Sequence, residues 1–145
     1  MLEKSYVMVK PEFANHKEVV AEVKKQLLEK SNNTLRVLKE EYIKYTPEDA
    51  KKHYAEHVGK DFYPNLERYI TSDIAYGMIV EGEDAIAKIR SIIGSTKDPA
   101  EGTIRYEVPK MLGWELRITE NVVHASDSSE SADREIAIFE DILNR

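Results

Sequence analysis

Apolar residues near the start of the chain follow first the spacing of a strand and then that of a helix. A short apolar run over residues 5–9 stops ahead of Pro11, and proline pushes the residue before it towards an extended conformation. We therefore predict a strand that ends at Lys10. From Val19 to Leu28 apolar residues recur at helical spacing, which predicts an amphipathic helix with its apolar side against a sheet.

The next segment combines an exposed strand with a clear helix start. Residues 35–45 mix β-branched and aromatic residues with charges, which is typical of an exposed or edge strand. Thr46 is suited to cap a helix, because Pro47 fits the first turn and the two acids that follow favour the positive end of the helix. We expect this helix to stop before Gly59 and to carry His53, Tyr54 and His57.

The middle of the chain predicts one buried strand between two helices. Residues 62–70 indicate a short helix, and the nearly all-apolar residues 74–80 indicate a strand buried on both faces. Isoleucines repeat over residues 84–93, where we predict a helix that ends at Gly94. This order fits an α+β sandwich, although periodicity alone also allows a parallel doubly wound sheet.

The last third begins with a segment that has no clear period. Residues 95–120 are interrupted by prolines and glycines, with Trp114 and Leu116 as isolated apolar positions, so we predict one long loop of functional importance. Val122 and Val123 predict a last short strand. A capping box between Asp127 and Glu130 would start the final helix. The predicted buried face of that helix consists of Ala132, Ile136, Phe139 and Leu143.

Composition narrows the class of protein. A chain of 145 residues is long enough for one compact domain, so we expect a single domain over residues 1–145. The net charge of −6 argues against nucleic acid as the main partner and against an anionic membrane surface. The absence of cysteine excludes disulfides and thiol catalysis. With no apolar run of membrane-spanning length, we expect a cytoplasmic protein.

Two short motifs imitate known functional sites. The glycines of Gly77 to Gly82 have phosphate-loop spacing, but two acids follow where a lysine and a hydroxyl residue are needed, so we interpret them as strand and turn positions. The run from His53 to His57 spells the H-x-x-E-H of inverted zinc peptidases. Because the helix is short and a third ligand is lacking, we favour a solvated helix face over a zinc site.

The segment N-V-V-H-A-S-D-S over residues 121–128 holds the strongest candidate for chemistry. It places His124 between an apolar run and a helix start, among hydroxyls and carboxylates. Neutral imidazole is available near pH 7, and a carboxylate on one ring nitrogen fixes the tautomer that frees the other as a nucleophile. An isolated histidine satisfied by Ser126 or Glu135 is the alternative interpretation. The pattern makes phosphoryl transfer through a phosphohistidine the leading hypothesis.

The chain resembles the nucleoside diphosphate kinase family over nearly its whole length. Residues 121–128, followed by a helix with an internal glutamate, are similar to the family signature N-x-x-H-[GA]-S-D-S. The further matches occur in the family's order: Y-V-M-V-K-P at 6–11, H-Y at 53–54, F-Y-P-N-L at 62–66, E-G at 81–82 and G-T-I-R at 102–105. The resemblance implies a ferredoxin-like α/β sandwich, with a four-stranded antiparallel sheet and helices packed on it.

The resemblance also implies an activity and a catalytic group. These enzymes transfer the γ-phosphate of a nucleoside triphosphate, mainly ATP, to a nucleoside diphosphate in two half-reactions through a phosphorylated histidine, which corresponds to His124. Glu135 corresponds to the glutamate that receives the other imidazole N–H, and Ser126 to the hydroxyl that supports it. Tyr54 corresponds to a tyrosine beside the histidine and the phosphate.

A nucleotide site follows from the same resemblance. Arg90, Thr96 and Arg105 correspond to phosphate ligands, and Lys10 and Asn121 to groups around the ribose hydroxyls and phosphates. The aromatic on which the base stacks corresponds to Phe62, and stacking tolerates any base. Mg²⁺ would be held mainly by the nucleotide phosphates and water, with no protein metal cage. The implied partners are nucleoside di- and triphosphates and further copies of the chain in a homo-oligomer, a hexamer being favoured over a tetramer or a dimer.

The chain departs from the family in two places. After Pro11 it has Glu12, Phe13 and Ala14 where the family has a glycine, so the turn must form without one. The number of residues between the motifs before and after Arg105 also differs from that in the family. Two alternatives therefore stay open: a catalytically inactive relative that acts as a nucleotide-binding scaffold or regulatory subunit, and a histidine relay that is phosphorylated by another protein.

Overall fold

The computed structural model describes residues 1–114 and 121–145. Its strands are β1 (Leu2–Val9), β2 (Leu35–Ile43), β3 (Ala75–Glu83) and β4 (Val123–Ala125). Its helices are α1 (Lys17–Lys30), α2 (Pro47–His53), α3 (Tyr63–Ile70), α4 (Ala85–Ile93), α5 (Ile104–Met111) and α6 (Ser129–Leu143), with short 3₁₀ turns at Phe13–Asn15 and Ala55–His57. In this part of the chain, no helix combines the length and the apolarity that are needed to cross a bilayer.

The strands form one antiparallel sheet in the order β2-β3-β1-β4. This order confirms the ferredoxin-like fold and excludes the parallel doubly wound sheet, because every neighbouring pair of strands is antiparallel. The last strand is short and pairs only with β1, where His124 lies opposite Met8. The strand that carries His124 is thus held against the centre of the sheet.

Each face of the sheet carries its own apolar core. Side chains alternate along a strand, so in β1 Val7 and Val9 join one core while Tyr6 and Met8 join the other. The first core packs against α1, α4 and α5, and the second contains Phe139 of α6. The two layers together explain why β1 and β3 are buried on both faces.

Most of the predicted elements are confirmed. The first strand ends at Val9, next to the predicted end at Lys10, and the amphipathic helix is α1. Residues 35–43 form the edge strand β2, the buried strand is β3, and α3 and α4 match the two helices predicted around it. Gly94 follows α4 with a φ of +97°. Both Gly77 and Gly82 lie inside β3, so the apparent phosphate loop is a strand.

The helix predicted to carry three aromatic site residues is shorter than expected. Thr46 caps α2 with a capping box to Asp49, as the sequence indicated, but the helix ends at His53. Tyr54 is its C-terminal cap, and His57 belongs to the following 3₁₀ turn. The two histidines of the zinc-peptidase motif therefore do not share a helix.

The prediction of an unbroken loop over residues 95–120 is wrong, because α5 lies within it. Ile104 and Val108, one helical turn apart, are fully buried in the core shared with α1 and α4. Gly102 and Pro109 are residues that usually interrupt helices, so the sequence pattern did not indicate this helix. In the structure Pro109 lies within the second half of α5. Trp114 packs on the same core, and the predicted anchor Leu116 lies outside the described residues.

The start of α6 also differs from the prediction. Ser128, not Asp127, is the N-cap, and its Oγ accepts a bond from the Ser131 amide at 3.1 Å. The helix buries Ala132 and Phe139 as expected, whereas the predicted Ile136 and Leu143 are only partly buried. The fully buried positions on this face also include Ser131, Glu135 and Ile138. A carboxylate on the buried face brings charge into the interior of the protein.

The turn after β1 forms without glycine, as expected, and is strained. Glu12 adopts a φ of +78°, a conformation that is costly for a residue with a Cβ. The Tyr69 hydroxyl donates to the Pro11 carbonyl at 2.9 Å and ties α3 to this turn.

Candidate active site

His124 is presented by a short strand whose approach is strained. Val122, the residue before β4, is fully buried with a φ of +80°, which is a genuine outlier for a β-branched residue. Its carbonyl accepts the Lys10 amide at 2.8 Å, so the unusual backbone is bonded to the end of β1. The surrounding sheet therefore imposes the turn that delivers Asn121 and His124 to one place.

A buried carboxylate lies directly behind the imidazole. Nε2 of His124 is 2.9 Å from Oε1 of Glu135, whose side chain is only 3% exposed. This approach does not meet hydrogen-bond geometry, so the pair is a close contact between a ring nitrogen and a carboxylate oxygen. With Nε2 directed at Glu135, Nδ1 is the ring nitrogen that remains for chemistry.

Ser126 fixes the carboxylate in place. Its Oγ donates to Glu135 Oε1 at 2.7 Å and accepts the Tyr6 amide at 3.0 Å. Gly77 allows this close packing of α6 on the sheet, since a Cβ there would lie 2.6 Å from the Phe139 ring. The three groups predicted from the signature, His124, Glu135 and Ser126, thus lie in one connected arrangement.

His53 lies beside His124 and is buried. Its side chain is 2% exposed, and its ring centroid is 4.6 Å from that of His124 at an interplanar angle of 64°. The expectation of a solvated helix face is therefore wrong at this position. Burial first, and then the nearby His124, lower the pKa of His53 well below its usual value, so the ring is neutral.

Tyr54 forms the other aromatic wall of the site. Its ring centroid is 6.4 Å from that of His124 and 4.6 Å from that of His53, with edge-to-face geometry in both pairs. Burial raises the pKa of the Tyr54 hydroxyl, so this group stays protonated and able to donate a hydrogen bond. The placement agrees with the predicted position beside the histidine.

These groups open into a cavity of about 200 Å³. Its wall combines arginines with acids, and the arginines supply the cationic groups that phosphate requires in an acidic protein. The lining residues comprise three arginines, Arg90, Arg105 and Arg134, three acids, Glu56, Asp127 and Glu135, and also His53, Tyr54, His57, Thr96, His124, Ala125 and Ser131. Lys10, Phe62, Asn121 and Ser126 are outside this lining set.

The predicted phosphate ligands approach the cavity from α4 and α5. Arg90, in the last turn of α4, is exposed, and so is Thr96. Arg105 donates to the carbonyls of Gly94 and Val123 at 2.9 Å each, so both of its terminal nitrogens bind backbone. Burial and the neighbouring Arg90 lower the pKa of Arg105 to about 10. Arg105 therefore anchors the edge of the cavity as well as lining it.

Lys10 and Asn121 form a buried polar pair. Nζ of Lys10 donates to Oδ1 of Asn121 at 2.8 Å, and both side chains are almost completely buried. Burial, and then the charge of Arg105, lower the pKa of Lys10 to about 7. The pair joins the ends of β1 and β4, where the resemblance expects ribose and phosphate contacts.

Phe62 lies at the surface, away from the cavity wall. It is 51% exposed, its ring centroid is 5.4 Å from that of His57, and Nζ of Lys60 lies 5.9 Å above its ring. An aromatic face that is half open to solvent is available for a stacked base.

Sequence reasoning missed part of this wall. Asp127, Glu56 and Arg134 were not predicted as site residues, although all three line the cavity and Arg134 donates to Glu56 at 3.1 Å. His53 was seen only within a zinc motif. The match of H-Y at residues 53–54 to the family was the signal that could have assigned His53, together with Tyr54, to the site.

The chain is similar to named nucleoside diphosphate kinases in sequence and in fold. A family model described as nucleoside diphosphate kinase matches residues 3–141. The chain belongs to the nucleoside diphosphate kinase family. It is 37% identical over 140 residues to the nucleoside diphosphate kinase of Staphylococcus epidermidis, covering 95% of this chain and 87% of that one. The enzyme of Methanosarcina barkeri is 40% identical over 142 residues, with coverage of 94% and 87%.

Solved structures agree with this assignment. The nucleoside diphosphate kinase of Aquifex aeolicus superposes with a TM-score of 0.77 at 27% identity, covering 96% of this chain and 95% of that one. The Encephalitozoon cuniculi enzyme gives a TM-score of 0.80 at 23% identity, covering 94% and 88%, and supports the fold alone. Membership of the nucleoside diphosphate kinase family makes the protein an enzyme, a kinase of nucleotide metabolism whose substrates are nucleotides.

Enzymes of the nucleoside diphosphate kinase family use a divalent cation, and the donor atoms here show what this chain offers one. In the described ranges, His53, His124 and Glu135 are the one group of three metal-ligating side chains. Two of the three donors are nitrogen, whereas Mg²⁺ prefers six oxygens and keeps several waters. This group of donors therefore does not match the preference of a hard cation such as Mg²⁺.

Proposed function

We propose that this enzyme transfers the γ-phosphate of a nucleoside triphosphate, mainly ATP, to a nucleoside diphosphate through a phosphohistidine at His124. The observation that supports this most strongly is the 2.9 Å approach of Glu135 Oε1 to Nε2 of the imidazole, at the wall of an arginine-lined cavity. A buried carboxylate in this position holds one tautomer of the ring and stabilises its growing positive charge.

The first half-reaction follows from this arrangement. Nδ1 of His124 attacks the γ-phosphorus, the bond from that phosphorus to the β-phosphate oxygen breaks, and the nucleoside diphosphate leaves. The carboxylate of Glu135 compensates the imidazolium charge, and Ser126 keeps its oxygen in place. In the second half-reaction a different diphosphate attacks the phosphohistidine, which gives ping-pong kinetics.

The surrounding residues bind the nucleotide in this proposal. Arg90, Thr96 and Arg105 contact the phosphates, and guanidinium groups suit the charge that spreads over the phosphoryl oxygens in the transition state. Each terminal nitrogen of Arg105 carries two N–H groups, so this side chain can contact phosphate while it keeps its bonds to the Gly94 and Val123 carbonyls. The Tyr54 hydroxyl donates to phosphate beside His124.

The sugar and the base have separate contacts. Lys10 and Asn121 bind at the ribose hydroxyls and phosphates, and Phe62 stacks on the base without selecting it. Mg²⁺ would be held mainly by the nucleotide phosphates and water, and it would neutralise phosphate charge. We also propose one domain over residues 1–145, a cytoplasmic location and a homo-oligomer, a hexamer before a tetramer or a dimer.

Labelling with ATP tests the proposal. Incubation with ATP labelled at the γ-phosphate is expected to leave acid-labile phosphate on the protein, which a second diphosphate then removes. His124→Gln should abolish both steps, while His16→Gln, a partly exposed histidine outside the cavity, should retain them.

The same assay separates the alternatives. Full turnover in His124→Gln would contradict the proposal. Nucleotide binding without a phosphoenzyme in the unmodified protein would favour the inactive scaffold. Labelling of His124 only in the presence of a phosphorylated donor protein would favour the relay.

A further inference from the structure

His53 is a buried titratable group that the proposed transfer leaves without a task. Both of its ring nitrogens are buried and have no hydrogen-bond partner among the described residues. Buried polar atoms are normally satisfied, so such a pair calls for a ligand or another explanation. Its neighbours are the rings of Tyr6, Tyr45, Tyr54 and His124, and the first two bond each other through their hydroxyls at 2.6 Å.

The free nitrogens of His53 lie beside two further metal-ligating groups. His53, His124 and Glu135 each offer one donor atom, and all three atoms lie within 4.8 Å of one another. Nε2 of His124 and Oε1 of Glu135 are already 2.9 Å apart. Donors bound to one tetrahedral zinc are roughly 3.3 Å apart, since the metal bonds are about 2.0–2.1 Å long. Small side-chain movements thus suffice to bring the third donor into place.

The donor set selects the kind of ion. Two imidazoles and one carboxylate form the set that holds Zn²⁺ in many proteins, with a fourth position left for water. Here all three residues line the cavity, which offers that fourth position and a route of entry. A hard ion such as Mg²⁺ is poorly served by two nitrogen donors.

Acidic side chains offset part of the positive charge around the cluster. The positive charges of Arg134 and Lys10 lie close enough to His53 to lower its pKa, and Arg90 and Arg105 line the cavity. These four cationic side chains would repel a metal ion. Glu56 neutralises Arg134 through their 3.1 Å bond. Asp127 lies close enough to Arg90 for that arginine to lower its pKa, after the larger effect of a bond with Ser131. Glu135 leaves one negative charge to meet the ion directly.

We propose that His53, His124 and Glu135 form an inhibitory binding site for Zn²⁺ or a similar transition-metal ion. A metal ion bound to His124 occupies the lone pair of the imidazole that would attack the phosphorus. The ion also binds the Glu135 carboxylate, which then no longer supports the nucleophile. Binding of the metal and phosphorylation of His124 therefore exclude each other. The inhibition rests on the proposed function, whereas the binding of the metal does not. Zinc would therefore hold the enzyme unphosphorylated.

Calorimetry with Zn²⁺ alone tests the site without turnover. Chelator-treated, nucleotide-free protein is expected to bind one ion per chain. His53→Phe, which keeps a ring but removes both nitrogens, should weaken this binding at least about 10-fold. His57→Gln is the matched control, because His57 lines the same cavity outside the cluster, and it should bind as the unmodified protein does. His53→Asn, checked for folding by circular dichroism, provides a second variant without the ring.

Two outcomes of the binding experiment would overturn the site. One is the absence of a stoichiometric zinc ion on the unmodified protein. The other is unchanged affinity in a folded His53→Phe or His53→Asn protein, which would place any bound zinc elsewhere.

The transfer rate tests the inhibitory effect. With Mg²⁺ and ATP in excess, added Zn²⁺ should slow phosphoenzyme formation in the unmodified protein and in His57→Gln, and a chelator should restore it. We expect His53→Phe to need at least about 10-fold more zinc than the unmodified protein for the same fractional inhibition, with each rate compared to that of the same protein without zinc. Equal sensitivity of the two variants would refute the proposal. A zinc-free protein that transfers no phosphate in the presence of Mg²⁺ and ATP would instead contradict the proposed function and leave the binding experiment valid.

Discussion

Glu135 Oε1 lies 2.9 Å from Nε2 of His124, although one residue belongs to a helix and the other to a strand. The carboxylate reaches the ring because α6 packs its buried face against β1, the strand that pairs with β4. Its side chain is 3% exposed, so the charge acts on the imidazole with little screening by water.

Glu135→Gln should slow the formation of the phosphohistidine. The amide keeps the size of the side chain but removes the negative charge that stabilises the imidazolium, so we expect a loss of roughly 10- to 100-fold in kcat with little change in KM. Rapid-quench labelling with ATP measures the step directly. Glu130→Gln, an exposed position in the first turn of the same helix, is the control. An unchanged labelling rate in Glu135→Gln would show that the carboxylate has no part in the transfer.

Ser126→Ala should destabilise the protein. The Ser126 Oγ is fully buried between the Tyr6 amide and the Glu135 carboxylate, so its removal takes one hydrogen-bond partner from each of these buried groups. We expect the free energy of unfolding to fall by about 1–3 kcal/mol in urea denaturation. Ser129→Ala, on the exposed start of α6, serves for comparison. A change below about 0.5 kcal/mol, as is usual at surface positions, would contradict this role.

The stability of the protein should rise with pH through Lys10. Its pKa is lowered to about 7 in the folded state, while the unfolded chain keeps the ordinary value of lysine. Above about pH 7 the unfolded state holds a proton that the folded state has lost, so the free energy of unfolding increases by at most about 1.4 kcal/mol per pH unit. Below about pH 7 both states are protonated and this contribution is constant.

Urea denaturation at pH 7, 8 and 9 measures the effect of Lys10. Lys10→Met should lose this increase, whereas Lys25→Met, an exposed lysine of α1, should retain it. Parallel pH dependence in the two variants would mean that Lys10 titrates normally.

Phe62→Ala should weaken the binding of every nucleotide to a similar degree. Stacking of a base on an aromatic ring contributes about 1–3 kcal/mol and depends little on the base, so ADP and GDP should both lose roughly 5- to 150-fold in affinity. Calorimetry with each diphosphate gives the two values. Val58→Ala, another exposed apolar residue nearby, should bind both normally. A loss of affinity for only one of the two diphosphates would show that Phe62 makes a base-specific contact and does not act by stacking alone.

Local patterns predicted most elements of the fold. Proline after Lys10 marked the end of β1, Thr46 with Asp49 marked the start of α2, and the isoleucine repeat marked α4. These signals are local because capping and periodicity involve residues within one or two turns. The short helix α5 was missed, since Gly102 and Pro109 masked an apolar stripe that only packing against α1 and α4 makes helical.

The candidate site divides in the same way. The residues from Asn121 to Ser128 predicted a nucleophile and a supporting hydroxyl, because the two residues concerned are neighbours in the sequence. His53 was misplaced, since its spacing to His57 suggested an exposed helix face, whereas α2 ends at His53 and turns its ring against His124. The burial of His53 depends on the elements that pack against α2 in the folded protein, and a local sequence pattern contains no information about them.

The sequence by itself determined the order of strands and helices apart from α5, the signature around His124 and the family that these resemble. Tertiary structure alone decided that His53 joins His124 and Glu135, and that Arg105 is bonded to the backbone of Gly94 and Val123. The physical reason is that periodicity and capping act between near neighbours. Charge contacts and burial, in contrast, arise between residues that are brought together only when the helices pack on the sheet.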